Sequence, residues 1–179
     1  MRSRLLMLAV ATMLLILPAA PAQAIVNGVP DEGEHPFVGQ LFFYVPDAND
    51  SRFNDPGAWY SCSGTLVDKN TVVTAGHCTF GVGKDGKPTT QIGGSGGTDV
   101  WISFEEEPDF SILQPSSTFV PDGNDARYKS WSAALDKSRT WHSATAYAHP
   151  EYVDRSFYMY DAGVLVLDKS VKMGAYGKL

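Results

Sequence analysis

Ser61-Cys62-Ser63-Gly64-Thr65-Leu66-Val67, a polar turn at Asp68-Lys69-Asn70, and Thr71-Val72-Val73-Thr74-Ala75-Gly76-His77-Cys78 make up the stretch that decides the fold. Two apolar, β-branched runs joined by a short polar turn predict a β-hairpin, with Asn70 as the residue able to adopt a left-handed turn conformation. Closing that hairpin brings Cys62 and Cys78 to within about two residues of cross-strand register, close enough for a disulfide. They are the only 2 cysteines of the chain. His77 is then held at a strand end beside the staple, behind Ala75 and Gly76, whose small size lets another segment approach closely. Such a mount suits a general base.

The same residues closely resemble the catalytic-histidine motif of the trypsin/chymotrypsin family of serine proteases. The resemblance lies in Ser61-Cys62-Ser63-Gly64-Thr65-Leu66-Val67 and Thr74-Ala75-Gly76-His77-Cys78, with Ile25-Val26-Asn27-Gly28 similar to the family's mature amino terminus. It implies that His77 is the catalytic histidine. Read without it, His77 is a polar residue of an ordinary secreted barrel.

Residues 1–24 read as a secretory signal peptide: Arg2 and Arg4, an apolar run from Leu5 to Leu17, and small residues at Ala22-Gln23-Ala24. Cleavage after Ala24 is preferred to cleavage after Ala22, giving a mature chain 25–179 that starts at Ile25. The apolar run is shorter than the roughly 20 residues that cross a bilayer, so no membrane anchor is expected. Export and extracellular residence also fit paired cysteines, because disulfides persist in oxidising compartments. Without Arg2 and Arg4, 12 of the 14 basic residues remain against 20 acidic ones, a net charge of −8. Nucleic acid is therefore a poor partner, since phosphate binding needs clustered cations. In the resembled family the new amino terminus folds inward and pairs with an Asp beside the nucleophilic Ser.

Along the mature chain, His35-Pro36-Phe37-Val38-Gly39-Gln40-Leu41-Phe42-Phe43-Tyr44-Val45 reads as the first strand, with Pro36 at its start and His35 on the surface. The loop 46–57 is rich in turn formers, and its carboxylates do not fall at calcium-loop spacing. No metal or cofactor is expected there or elsewhere. Asn49-Asp50-Ser51 is a glycosylation sequon where the host modifies secreted proteins. Phe80 to Thr98, heavy in glycine, is expected to be a mobile surface loop. Its Gly93-Gly94-Ser95-Gly96-Gly97 superficially looks like the family's Gly-flanked nucleophile, but Gly94 stands where the family has an acid, and Ser95 precedes the candidate Asp. Ser95 is read as a decoy in a flexible loop.

Asp99 to Phe104 alternates Val100, Ile102 and Phe104 against Asp99, Trp101 and Ser103, predicting a half-buried strand. Glu105-Glu106-Glu107 reads as a solvated turn. Residues 109–138 carry no clear period, with a short helix possible over Lys129 to Asp136. Trp141 to Ala148 alternates small and larger residues, as a strand of a tight barrel does, and His142 falls with the alanines, in a structural role.

His149-Pro150-Glu151-Tyr152 forms a turn that precedes Asp161-Ala162-Gly163-Val164-Leu165-Val166-Leu167. The resembled family places its catalytic Asp at the start of such a strand, so the resemblance implies that Asp161 is that residue. Physically, a carboxylate entering an apolar strand needs a donor, and an imidazole N–H is suitable. Asp154 and Asp168 are the rivals: the first lies in a polar turn, the second leaves the strand.

The expected fold is all-β: a Greek-key antiparallel barrel of about six strands, the first barrel of the trypsin-like two-barrel architecture. Lys169 to Leu179 resembles the start of the crossing to a second barrel, and that barrel, with the Ser, the oxyanion amides and the specificity pocket, is expected to be missing from this chain. The function implied is that of a secreted serine endopeptidase acting on protein or peptide substrates, present as an incomplete chain. The competing expectation is a non-catalytic secreted barrel that binds a protein partner.

Overall fold

Six antiparallel strands carry the chain around a closed barrel: β1 (Val38–Val45), β2 (Ala58–Leu66), β3 (Thr71–Thr74), β4 (Gly97–Ser103), β5 (Trp141–Ala148) and β6 (Gly163–Leu167). The computed structural model describes residues 31–48, 57–89, 96–114, 123–153 and 159–178. The order around the barrel is β1-β2-β3-β6-β5-β4, with β4 closing on β1. The last strand of the sequence thus inserts between β3 and β5, within a six-stranded antiparallel barrel of the kind expected. The signal-peptide residues, Ile25, the sequon at Asn49, Ser95 and Asp154 lie outside the described residues.

The interior is built by the period-2 alternation of these strands. Leu41, Phe43, Leu66, Val72, Val100, Ile102, Leu165 and Leu167 converge on one buried cluster. Cross-strand partners are matched in size: Ala144 faces Leu167 and Ala146 faces Leu165, so small β5 side chains make room for large ones on β6. Gly64 has the same role on β2, since a Cβ there would stand 2.6 Å from Val72 Cγ1 and 2.9 Å from Leu41 Cδ1. After β6, Val171, Met173 and Tyr176 pack against the same cluster.

Four sequence expectations are corrected. The β2–β3 turn does not use a left-handed Asn70, which is absent from the positive-φ residues. Instead the Asp68 carboxylate accepts the N–H groups of Asn70 (2.7 Å) and Thr71 (2.9 Å), and these bonds hold its carboxyl below the usual range. β4 is buried on both faces rather than one: Val100 and Ile102 point into the barrel, while Trp101 joins Phe42, Leu113, Leu135 and Trp141 in a second cluster outside it. The cover is α1 (Gly123–Lys137), a longer helix than the one expected over Lys129 to Asp136. A weak apolar period hid it, because the helix buries a few large side chains such as Leu135 and Trp131 against aromatic residues rather than presenting a continuous stripe.

The segment 80–89 is likewise no free loop. Val82 is fully buried in the barrel cluster, and the Gly83 N–H donates to Tyr44 O at 2.9 Å. Asp99, 4% exposed, accepts the Gly86 N–H at 2.9 Å and the Tyr128 hydroxyl at 3.0 Å, tying this segment and α1 to β4. Burial pushes the Asp99 carboxyl up, and bonds from Gly86, Tyr128 and Asp85 only partly reverse this. Burial, with the Asp99 charge beside it, pushes the Tyr128 phenol far up.

Cys62 and Cys78 form a disulfide with a Cα–Cα distance of 6.2 Å, closing a sequence separation of 16. The bond ties β2 to the turn that follows β3. Replacing either cysteine by serine is expected to lower the unfolding free energy by about 3 kcal/mol, the loop-closure contribution of a ring of this size. Urea unfolding of the oxidised chain and its single-Ser variants measures this, and free-thiol titration of the native chain should find no reactive thiol.

Candidate active site

β3 stops at Thr74, and the chain enters a 3₁₀ turn, Gly76–Cys78, with His77 in its middle. Thr79 closes the turn by donating its N–H (3.0 Å) and its hydroxyl (2.9 Å) to Gly76 O. The disulfide at Cys78 fixes the far side of the turn to β2, and the Thr74 hydroxyl donates to Ser63 O at 2.7 Å on the near side. His77 therefore sits on backbone that is bonded before, within and after it. Gly76 is small for a reason visible here: a Cβ would meet Tyr152 at 3.0 Å and the Ala162 backbone at 3.1 Å. The segment that approaches is the one bearing Asp161.

Asp161 stands two residues before β6, whose Gly163 pairs with Thr74 at the end of β3. That register brings the two site residues together across a sequence separation of 84. Gly163 admits the close approach: a Cβ would fall 2.4 Å from Thr79 Oγ1 and 2.7 Å from Ala75 O. The Asp161 carboxylate receives His77 twice. Oδ1 accepts the His77 backbone N–H at 2.8 Å, and Oδ2 lies 2.9 Å from the ring Nδ1, with Oδ1 at 3.2 Å from the same nitrogen. A carboxylate accepts, so the contact calls for a proton on Nδ1, the tautomer that leaves Nε2 as the basic nitrogen whenever the ring is neutral.

The side chains are 42% exposed for His77 and 24% for Asp161. Desolvation pushes the Asp161 carboxyl upward, yet the His77 N–H and ring and the Gly76 N–H outweigh it and hold the carboxyl below its ordinary value. The ionised form is the one the site is built around. A neutral imidazole oriented at Nδ1 by a carboxylate can take a proton from a hydroxyl and return it to a leaving group.

Of the residues singled out from sequence, His77, Asp161, Cys62 and Cys78 meet in one place. Asp168 does not: it accepts the Ser143 hydroxyl at 2.7 Å, away from His77. His35 is exposed, and half-buried His142 packs against Phe104, with burial lowering the imidazole. The His149–Tyr152 turn forms as expected, the Tyr152 N–H donating to His149 O at 2.9 Å. Among the described residues, Cys62, His77 and Cys78 are the one convergent set of metal-ligand types, and the disulfide occupies both sulfurs. The sequence reading missed the His77 backbone N–H as a carboxylate donor. Backbone donors leave no signature in residue type.

The family model described as Trypsin matches residues 31–126, more than half of the chain. The chain belongs to the trypsin family. The matched region includes Cys62, His77 and Cys78 and ends before Asp161. No curated protein matches the chain. Among solved structures it is similar to one titled Structure of GrC, at 16% identity and a TM-score of 0.38, covering 82% of this chain and 42% of that one. It is also similar to the Drosophila Grass clip serine protease of the Toll pathway, at 15% identity and a TM-score of 0.41, covering 85% of this chain and 34% of that one. The chain thus spans less than half the length of these two structures.

Two outcomes follow from the geometry. Because folding depresses the Asp161 carboxyl, its contribution to stability is complete above the unfolded value near pH 4 and is lost as pH falls through the folded value. Wild type is therefore expected to exceed Asp161→Asn in urea midpoint at pH 6 to 7, with the gap closing as pH drops below about 4. Gly163→Ala is expected to cost about 1–3 kcal/mol, because the added methyl meets backbone and a buried hydroxyl that have little room to move. Chemical denaturation of the variant checks it.

Proposed function

We propose that this chain carries the proton-handling pair of a secreted serine endopeptidase, with residues 1–24 as a signal peptide and the domain spanning 25–179. His77 is the general base and acid, and Asp161 fixes its tautomer and balances the charge it acquires. The observation that carries this reading is the 2.9 Å contact between His77 Nδ1 and Asp161 Oδ2, made on a trypsin-family barrel by residues 84 apart in sequence. The 2.8 Å bond from the His77 backbone to the same carboxylate supports it, since it orients the acceptor independently of the ring.

In this reading the imidazole Nε2 takes the proton of a serine hydroxyl as the oxygen attacks a peptide carbonyl. The proton then passes to the leaving amine, and a water repeats the sequence in reverse to free the enzyme. The serine, the oxyanion donors and the pocket that selects the substrate side chain come from a second barrel, and the substrates are proteins or peptides. No metal or cofactor takes part.

The test uses the chain 25–179 alone and mixed with a carboxy-terminal barrel of the trypsin family. Alone it is expected to hydrolyse no fluorogenic peptide and to take no organophosphonate label. With the second barrel, hydrolysis should appear, and His77→Ala should lower it by about 10³-fold or more. Hydrolysis indifferent to His77→Ala, or an adduct on Ser95 in the chain alone, overturns the assignment.

A further inference from the structure

Asp161 is delivered to His77 by a three-residue turn whose first member, Tyr160, has φ of +57°, a left-handed conformation uncommon for a residue with a bulky side chain. The turn is closed by the Ala162 N–H donating to Tyr160 O at 2.7 Å, with Asp161 between them. A tyrosine holds such a backbone only when something outside the turn fixes it. The side chain supplies that fixture: the Tyr160 ring stacks on the His149 imidazole, centroids 5.1 Å apart and planes 11° from parallel.

His149 is itself held. Its N–H donates to Ala162 O at 2.8 Å, and its Nδ1 accepts the Glu151 N–H at 3.2 Å. Ala162 is thus bonded to Tyr160 on one side and to His149 on the other, and the ring stack closes the loop between those two. Asp161 lies inside this closed circuit. The backbone that carries the carboxylate is thus held by contacts that include neither His77 nor the disulfide.

We propose that Tyr160, through its stack on His149, is a positioning residue for the Asp161 carboxylate. The role rests on the reading of His77 and Asp161 as the working pair, because it is that pair's contact that the stack maintains. Tyr160 does not touch the reacting atoms. Its ring fixes the turn, the turn fixes Asp161, and Asp161 fixes the His77 ring.

The readout is the His77 Nδ1 proton, followed by proton NMR in the chain 25–179, with the Leu165 amide as an internal reference for general loosening. Asp161→Ala should abolish the low-field Nδ1 proton signal. Tyr160→Ala and His149→Ala should each speed exchange of that proton about 2- to 12-fold, the range set by the contribution of one ring pair, while the Leu165 amide keeps its wild-type rate. Tyr160→Phe, which keeps the ring, should restore the wild-type rate. The proposal falls if Tyr160→Ala leaves the Nδ1 proton unchanged, if the Leu165 amide accelerates in parallel, or if Tyr160→Phe behaves as Tyr160→Ala. Persistence of the signal in Asp161→Ala would instead sink the His77–Asp161 pairing itself.

Discussion

The pairing of β3 with β6 is the contact on which the site depends. β3 is only four residues long, and its last residue, Thr74, opposes Gly163, the first residue of β6. Each strand therefore ends where its partner begins, and the two site residues project from the same edge: His77 just past the end of β3, Asp161 just before the start of β6. A slip of one residue would turn the interior side chains Val72 and Leu165 outward. The barrel core thus enforces the register that makes the pair. Burying Val72, Leu165 and Leu167 and bringing His77 to the Asp161 carboxylate are one structural event.

A carboxylate near the surface needs donors if it is to stay ionised in a fixed place. Asp161 receives its donors from a segment that cannot drift, because the 3₁₀ turn is closed by Thr79, stapled at Cys78 and packed at Gly76 against Tyr152 and Ala162. The opposing side is held by the Tyr160–His149 stack and its backbone bonds. The two sides of the site are each bonded internally, pack on one another at Gly76, and meet at three polar contacts between His77 and Asp161. Support on each side limits the spread of distances between the two groups.

The same barrel shows how far a local pattern can mislead. Alternation in Asp99 to Phe104 correctly marked a strand but misjudged its outer face, because the α1 helix and residues near Leu113 lie over Trp101 and Phe42. The glycines after Phe80 suggested freedom, yet Val82 is in the core and the Asp99 carboxylate grips Gly86. In each case a distant segment supplied the partner. Composition within the segment carries no trace of it.

From the residues alone came the strands, the hairpin and the disulfide pair, each written in a local period or a short motif with mechanical meaning, such as β-branched runs around a polar turn. His77 and Asp161 were singled out as a pair by the resemblance of their motifs to the trypsin family, which small residues before a histidine and an acid at the mouth of an apolar strand only support. Local dihedral preference and side-chain alternation act over a few residues, and this reach was enough to name the elements. The closing order β1-β2-β3-β6-β5-β4, the cover over β4, and the left-handed Tyr160 that presents Asp161 were decided by tertiary structure. They depend on which surfaces meet across tens of residues, where the energy lies in excluded water and in hydrogen bonds between segments that share no sequence neighbourhood.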